Sequence, residues 1–180
     1  NADPKRFEDT LLYSNLSYQE AAEMTYYGAS VIHPKTIKPL ANKDISLLVK
    51  SFEDPALEGT EINKGDIHDL PPTYVIKDNQ CLFSFGVKDL TIINEKNLSI
   101  IVHILDMLNI KINMMQNSAV SLTVCFDYRD DKVNQLLKTL ENDFKIRYNQ
   151  DLQLITIKNY TQDAVDMVSK NRDILVEQRT

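Results

Sequence analysis

The sequence predicts an α+β protein, in which a short α/β region is followed by a small sheet with both of its helices on one face. Three observations carry this. From Tyr74 onward strand-like and helix-like stretches follow the order β, α, β, β, α; each helical stretch has a single apolar stripe; and the region before residue 63 keeps a different, shorter rhythm. CLFSFGVK reads as a strand, and Asn97 is expected to cap a helix. In that helix Leu98, Ile101, Val102, Leu105 and Leu108 recur at the spacing of one buried face. Two strands, KINMMQN and SLTVCFDY, follow with a tight connection between them. Asp130 or Asp131 then caps a second helix, whose stripe is Val133, Leu136, Leu137, Leu140 and Phe144. KIRYNQ or LQLITIKNY supplies the last strand. An antiparallel sheet with both helices on one face buries these stripes most economically, which gives the ferredoxin-like βαββαβ arrangement.

The first sixty residues are built differently. Ser17 and Glu20 have capping-box spacing, so a helix should start near Tyr18, run through EAAEMTYY and stop at Gly28. GASVIHP then turns into a helix that holds Pro34 in its first turn. Pro39 should kink or delay that helix, and Asn42 and Asp44 should end it. Ile45 to Lys50 reads as a strand, FEDPALEGT as a turn, and Thr60 to Ile62 as a brief strand. NKGDIHDLPPTY, with Gly65 and the Pro71, Pro72 pair, has little periodicity and marks a boundary. Near the C-terminus LQLITIKNY, TQDAVDMVSKN and ILVEQR read as strand, helix and strand.

The chain has 180 residues, 43% of them hydrophobic, with a formal net charge of −6. That is enough apolar content for one core or two small ones, and the charge argues against a nucleic-acid partner. No run approaches membrane-spanning length, so no membrane partner is expected. Cys81 and Cys125 each lie in an apolar run and are expected as buried free thiols. The reading is cytoplasmic. His33 is expected as a helix-start residue, and His68 and His103 lack neighbours at metal-ligand spacing.

The opening NADPKR, with Asp3 and Lys5, and the segment GASVIHP, with Ser30 and Val31, resemble two elements near the nucleotide site of aspartate kinases. These amino-acid kinases phosphorylate the side-chain carboxylate of aspartate. The resemblance implies that residues 1–62 close an amino-acid kinase domain, that 63–73 form a linker, that 74–151 form a first regulatory ACT domain, and that 152–180 begin a second. It implies ATP, with Mg as its counter-ion, as the parent enzyme's cofactor, and nucleotide contacts from Asp3, Lys5, Ser30 and Val31. Lys5 stands where the family often has Arg, and Ser30 where close relatives have Lys. The family's phosphate-positioning and aspartate-binding motifs would precede Asn1, so no catalytic residue is assigned and these 180 residues alone are expected to be inactive.

Asn109 to Asp127 aligns without a gap with the lysine-inhibited subclass. The implied effector site places a ligand carboxylate at the start of the first ACT helix, at Lys96, Asn97 and Leu98, where free N–H groups and the helix dipole favour an anion. Its opposite wall is Asn113, Asn117, Ser118, Ala119 and Val120. Where those relatives carry Asp and Glu, this chain has Asn113 and Ala119. Lysine is the favoured effector and threonine the alternative, and a homodimer through the ACT units is implied. Three other readings stay open: a non-catalytic amino-acid sensor, a fragment of a bifunctional aspartokinase–homoserine dehydrogenase, and an RNA-binding module of the same strand order. The last lacks the exposed aromatics in a basic field that it would need.

Overall fold

A computed structural model describes residues 1–29, 31–65, 69–89 and 92–180. It has two compact units. Residues Asn1–Ile76 with Ile155–Leu175 form one, and Lys77–Leu154 with Val176–Thr180 the other.

In the first unit, β1 (Asn15–Ser17) leads directly into α1 (Tyr18–Tyr27). Ser17 caps this helix by accepting from the Glu20 amide at 3.0 Å, and Gly28 closes it with φ 118°, a left-handed value that glycine adopts without a Cβ clash. The capping box is only half used. The Glu20 carboxylate meets Lys158 instead, as an ion pair at 2.6 Å. α2 (Pro34–Lys43) is capped by His33, whose ring accepts from the Lys35 amide, and ends at Asp44 with φ 54°. Pro39 lies inside this helix and does not delay it. The hydrogen bond its ring removes falls on an exposed face, where water can satisfy the Lys35 carbonyl. Asn42 remains helical, so Asp44 alone is the stop.

β2 (Leu47–Val49) and β3 (Thr60–Asn63) complete a sheet ordered β1-β3-β2, with β1 parallel and β2 antiparallel to β3. Tyr13, Leu16, Tyr18, Ala21, Met24, Ile37 and Ile62 form its core. Gly59 is required where the chain enters β3, because a Cβ there would stand 2.4 Å from the Val49 carbonyl oxygen.

The second unit is built around β4 (Thr73–Val87), with α3 (Glu95–Met107), β5 (Ile112–Asn117), β6 (Ser121–Asp127), α4 (Asp130–Leu140) and β7 (Phe144–Lys158). The sheet order is β5-β6-β4-β7, and β6 is antiparallel to both β4 and β5. This is the α+β, ferredoxin-like order read from the sequence. Cys81, Phe83 and Phe85 of β4 lie opposite Phe126, Val124 and Leu122 of β6, so all six share the face that meets the helices. Ile101 and Leu105 of α3 and Val133, Leu136 and Leu140 of α4 are buried against that face. Cys125 lies opposite Leu82 and so points to the other face. The two cysteines are free thiols, pushed up by burial to about 12 for Cys81 and about 11 for Cys125.

Several local expectations need correction. The α3 cap is Asn94, and Asn97 is its third residue. The two form a reciprocal box in which each side chain accepts from the other's amide, at 3.0 and 3.1 Å. Its buried stripe also differs from the expected one: Val102 is 40% exposed and Ile104 packs against the core. α4 follows Arg129 without a side-chain cap; Asp130 and Asp131 sit in its first turn, where they favour the dipole. Phe144 is buried from β7 rather than from a helix. KIRYNQ and LQLITIK are one 15-residue strand. α5 (Gln162–Ser169), capped by Thr161, groups with the first unit, and ILVEQR forms no strand.

β4 and β7 each carry one positive-φ residue, Asn79 at 53° and Asp151 at 58°, residue types that tolerate this region. Gln80 and Cys81, adjacent in sequence, face opposite sides of the sheet and are both buried.

At its far end β7 presents Lys158 to Glu20 and Glu23 of α1. Burial alone would lower the Lys158 ammonium pKa, but the two carboxylates outweigh it and raise the value. The Glu23 carboxyl is lowered, chiefly by its hydrogen bond from Lys158. A raised amine loses its contribution only as pH climbs through the raised value. A lowered carboxyl keeps its contribution above the usual carboxylate range and loses it as pH falls through the lowered value. Lys158→Met should therefore cost about 1–2 kcal/mol, between exposed and buried pairs, evenly across neutral pH. The deficit should shrink below the usual carboxylate range, as denaturant melts at several pH values will show.

Candidate functional site

The sequence-predicted effector residues fall at two ends of β5. At one end, the β5–β6 turn is held by Ser118. Its amide donates to the Ser121 carbonyl at 2.9 Å, its hydroxyl oxygen accepts from the Ser121 amide at 3.1 Å, and that hydroxyl also meets Ser121 Oγ at 3.0 Å. Ala119 and Val120 form the exposed tip, while Asn117 is still paired in β5 opposite Leu122. The Ala119 carbonyl accepts from the Ile93 amide at 3.0 Å, which brings this tip to the residue before the α3 cap. Asn117, Ser118, Ala119, Val120, Lys96, Asn97 and Leu98 are thus gathered in one neighbourhood.

Within that neighbourhood the amides are not equivalent. Asn97 N–H is taken by the Asn94 side chain, and Leu98 N–H by the Asn94 carbonyl at 3.0 Å. Among the described residues, Glu95 and Lys96 hold the first-turn amides not used in this way. They are the donors that a carboxylate at this helix start would meet.

Asn113 is elsewhere. It occupies a bulge between Ile112 and Met114, four residues and about 13 Å of strand from Asn117. Because α3 runs opposite to β5, this end lies toward the C-terminus of that helix. Asn113 Nδ2 donates to Gln80 Oε1 at 2.8 Å and to Asp127 Oδ1 at 3.0 Å, and its Oδ1 accepts from Lys77 Nζ at 2.9 Å. Gln80, 1% exposed, donates to Asp127 Oδ1 at 2.7 Å and to the Asp78 carbonyl at 3.0 Å. Lys77, Gln80 and Asp127 were not singled out from the sequence. The available signal was a glutamine opening the otherwise apolar CLFSF and an aspartate closing SLTVCF.

The residues read as nucleotide contacts lie in the first unit. Asp3 Oδ1 accepts from the Lys5 amide at 2.9 Å and the Asp3 carbonyl from Arg6 and Phe7, so Asp3 and Lys5 share one exposed turn. Val31 lies in a separate connection between α1 and α2 and is 68% exposed. Ser30 and His68 lie outside the described residues. An open, largely apolar groove of about 610 Å³ runs past Leu12, Val49, Leu57 and Gly59 and contains none of these residues. Among the described residues no group of three or more His, Cys, Asp or Glu is arranged to hold a metal, and no helix is long and apolar enough to cross a membrane.

Comparison with known proteins agrees with this architecture. The amino acid kinase family matches residues 1–51. The chain is 25% identical over 154 residues to a chloroplastic bifunctional aspartokinase/homoserine dehydrogenase of Daucus carota, covering 81% of this chain and 17% of that protein. Over 88 residues it is 35% identical to a Zea mays protein of the same description, covering 46% of this chain and 10% of that one. Among solved structures, E. coli aspartokinase III in complex with lysine and aspartate superposes with a TM-score of 0.75 at 23% identity, over 96% of this chain and 41% of that one. Clostridium acetobutylicum aspartate kinase gives 0.76 at 22% identity, over 87% and 38%. The chain therefore spans at most about a sixth of these curated relatives. Its first 51 residues carry the amino acid kinase family signature. Over most of its length the chain is similar to proteins described as bifunctional aspartokinase/homoserine dehydrogenases, and it shares the fold of solved aspartokinases.

The Asn113 network yields a direct expectation. Asn113→Asp removes two donors from Gln80 and Asp127 and sets a second carboxylate beside Asp127, with Lys77 offsetting part of the repulsion. A loss of about 1–3 kcal/mol is expected at neutral pH. Urea melts at neutral pH measure it.

Proposed function

We propose that the chain is the regulatory, C-terminal part of an aspartate kinase and holds an amino-acid effector where the start of α3 meets the β5–β6 turn. The observation that carries this is the Ile93 amide to Ala119 carbonyl bond, which sets the turn beside the Glu95 and Lys96 amides. An effector carboxylate would accept from those amides with the helix dipole in its favour. Asn117 and the exposed turn backbone would receive its ammonium group. The solved E. coli relative in complex with lysine and aspartate, and another in complex with aspartate and ADP, support an amino-acid-regulated kinase as the parent.

In the parent enzyme, ATP with Mg would phosphorylate the side-chain carboxylate of aspartate. Asp3, Lys5, Ser30 and Val31 would border the nucleotide, a role that rests on the resemblance. β5 is an edge strand of the regulatory sheet, a natural place for a second copy to pair, and we read the parent as a homodimer on that ground. Relatives described as bifunctional favour a second reading, in which the parent also carries a homoserine dehydrogenase. Homoserine dehydrogenase activity that copurifies with the native parent would decide for it.

Calorimetry of the 180 residues against lysine, threonine and methionine tests the effector reading. One of the three should bind, and no acyl phosphate should form when the same protein is given aspartate and ATP. Absence of binding by all three would remove the regulatory reading.

A further inference from the structure

We propose that the Glu20 carboxylate is a two-position latch: it pairs with Lys158 while the end of β7 lies on α1, and turns to the Ser17 amide when β7 withdraws, so that β7 can shift without unwinding α1. The latch rests on geometry alone; that a bound effector works it rests on the regulatory reading above. Ser17, Glu20 and Glu23 belong to the kinase-family residues 1–51. Lys158 is the last residue of β7, a strand whose residues up to Leu154 lie in the second unit.

The first position is the one observed. Glu20 Oε2 is buried and stands 2.6 Å from Lys158 Nζ, and beyond that ion pair no hydrogen bond among the described residues serves it. A carboxylate held in this way must turn once its cation moves, because an unpaired buried charge costs far more than a change of rotamer. Glu23 is held differently. Its Oε1 accepts from Gln19 Nε2 at 2.9 Å, its Oε2 accepts from Lys158, and its side chain is 39% exposed against 20% for Glu20. When Lys158 leaves, Glu23 therefore falls back on Gln19 and water, whereas Glu20 needs a second partner.

The sequence supplies one. Glu20 is the third residue of α1, the position from which a side chain reaches back to the amide of the cap, and Ser17 is that cap, its hydroxyl already accepting from the Glu20 amide at 3.0 Å. The Ser17 amide is also suitably turned. β1 runs parallel to β3 and the Glu61 amide donates to the Ser14 carbonyl at 2.9 Å, so Ser14 and Leu16 turn their backbone groups to β3 while Asn15 and Ser17 turn theirs to the outer side of an edge strand. Asn94 and Asn97 show the completed form of the same box at the start of α3. A carboxylate at Ser17 would meet the positive end of the helix dipole as well. One charge thus has two sites, an ion pair to β7 and a cap on its own helix.

Amide exchange of the full 180-residue chain, read residue by residue by NMR, tests this without any ligand in wild type, Lys158→Met, Lys158→Arg and the double variant Lys158→Met with Glu20→Ala. In Lys158→Met the Ser17 amide should exchange about tenfold more slowly than in wild type, as one hydrogen bond to a charged acceptor implies. The amides of residues 22 to 27 should meanwhile lose no more protection than those of α2. Lys158→Arg, which keeps the pair, should match wild type, and Glu20→Ala in the double variant should abolish the slowing. Should Lys158→Met fail to fold, Lys158→Gln should show the same slowing. An unchanged Ser17 amide, slowing that survives Glu20→Ala, or a selective loss of protection in α1 overturns the proposal, the last because Lys158 would then be a structural tie and nothing more. Failure of both uncharged variants to fold overturns it too, since α1 would then have no second position to rest in. Absence of effector binding in calorimetry would remove the regulatory reading and leave the latch standing, whereas an unmoved Ser17 amide would remove the latch and leave that reading.

Discussion

The pairing of β4 inside its sheet is the constraint on which the rest depends. β4 lies between β6 and β7, and its Phe83 ring meets Phe85, Phe126 and Tyr148 at centroid separations of 5.9, 5.1 and 4.7 Å. Each such pair adds roughly 0.5–1.5 kcal/mol beyond the burial of its area. The register this fixes sets Cys81, Phe83 and Phe85 against both helices and leaves Gln80 on the other face beside Asp127. A slip of one residue would exchange those faces, placing Gln80 in the apolar core and Phe83 on the polar side.

The same strand begins in the other unit. There Thr73 is buried with its hydroxyl 2.6 Å from the Tyr13 hydroxyl, and Tyr74 stacks on Phe7 with centroids 5.3 Å apart. β7 ends in the same unit, with Lys158 on α1. Thr73 and Tyr74 of β4 and Lys158 of β7 thus pack within the first unit.

Much of this was legible in the sequence, where the signal is local. Ser17 and Gly28 bound α1 as their chemistry requires, and the apolar stripes of α3 and α4 identified the helices and the face they cover. What failed was position within those patterns. Asn94 and Asn97 are chemically equivalent as caps, and only the path of the preceding chain chooses between them. Glu20 fits a capping box by spacing, yet a lysine 138 residues away in sequence competes for its carboxylate and wins. ILVEQR has strand composition but no neighbouring strand, and composition cannot supply one. The residues read from the sequence as an effector wall are brought together only in part. Spacing along β5 placed Asn113 with Ser118, while the strand's length separates them, and the partners of Asn113 come from strands distant in sequence.

The central claim is that an amino acid is held at the α3 start and the β5–β6 turn, away from the hydrogen-bonded cluster around Asn113. Hydrogen–deuterium exchange of the chain with and without saturating threonine tests it most directly, since amides that donate to a ligand carboxylate slow their exchange. The account predicts slowing at Glu95, Lys96 and residues 118 to 120, with Gln80, Asn113 and Asp127 unchanged. Slowing centred on Gln80, Asn113 and Asp127, or none at the start of α3, would contradict it.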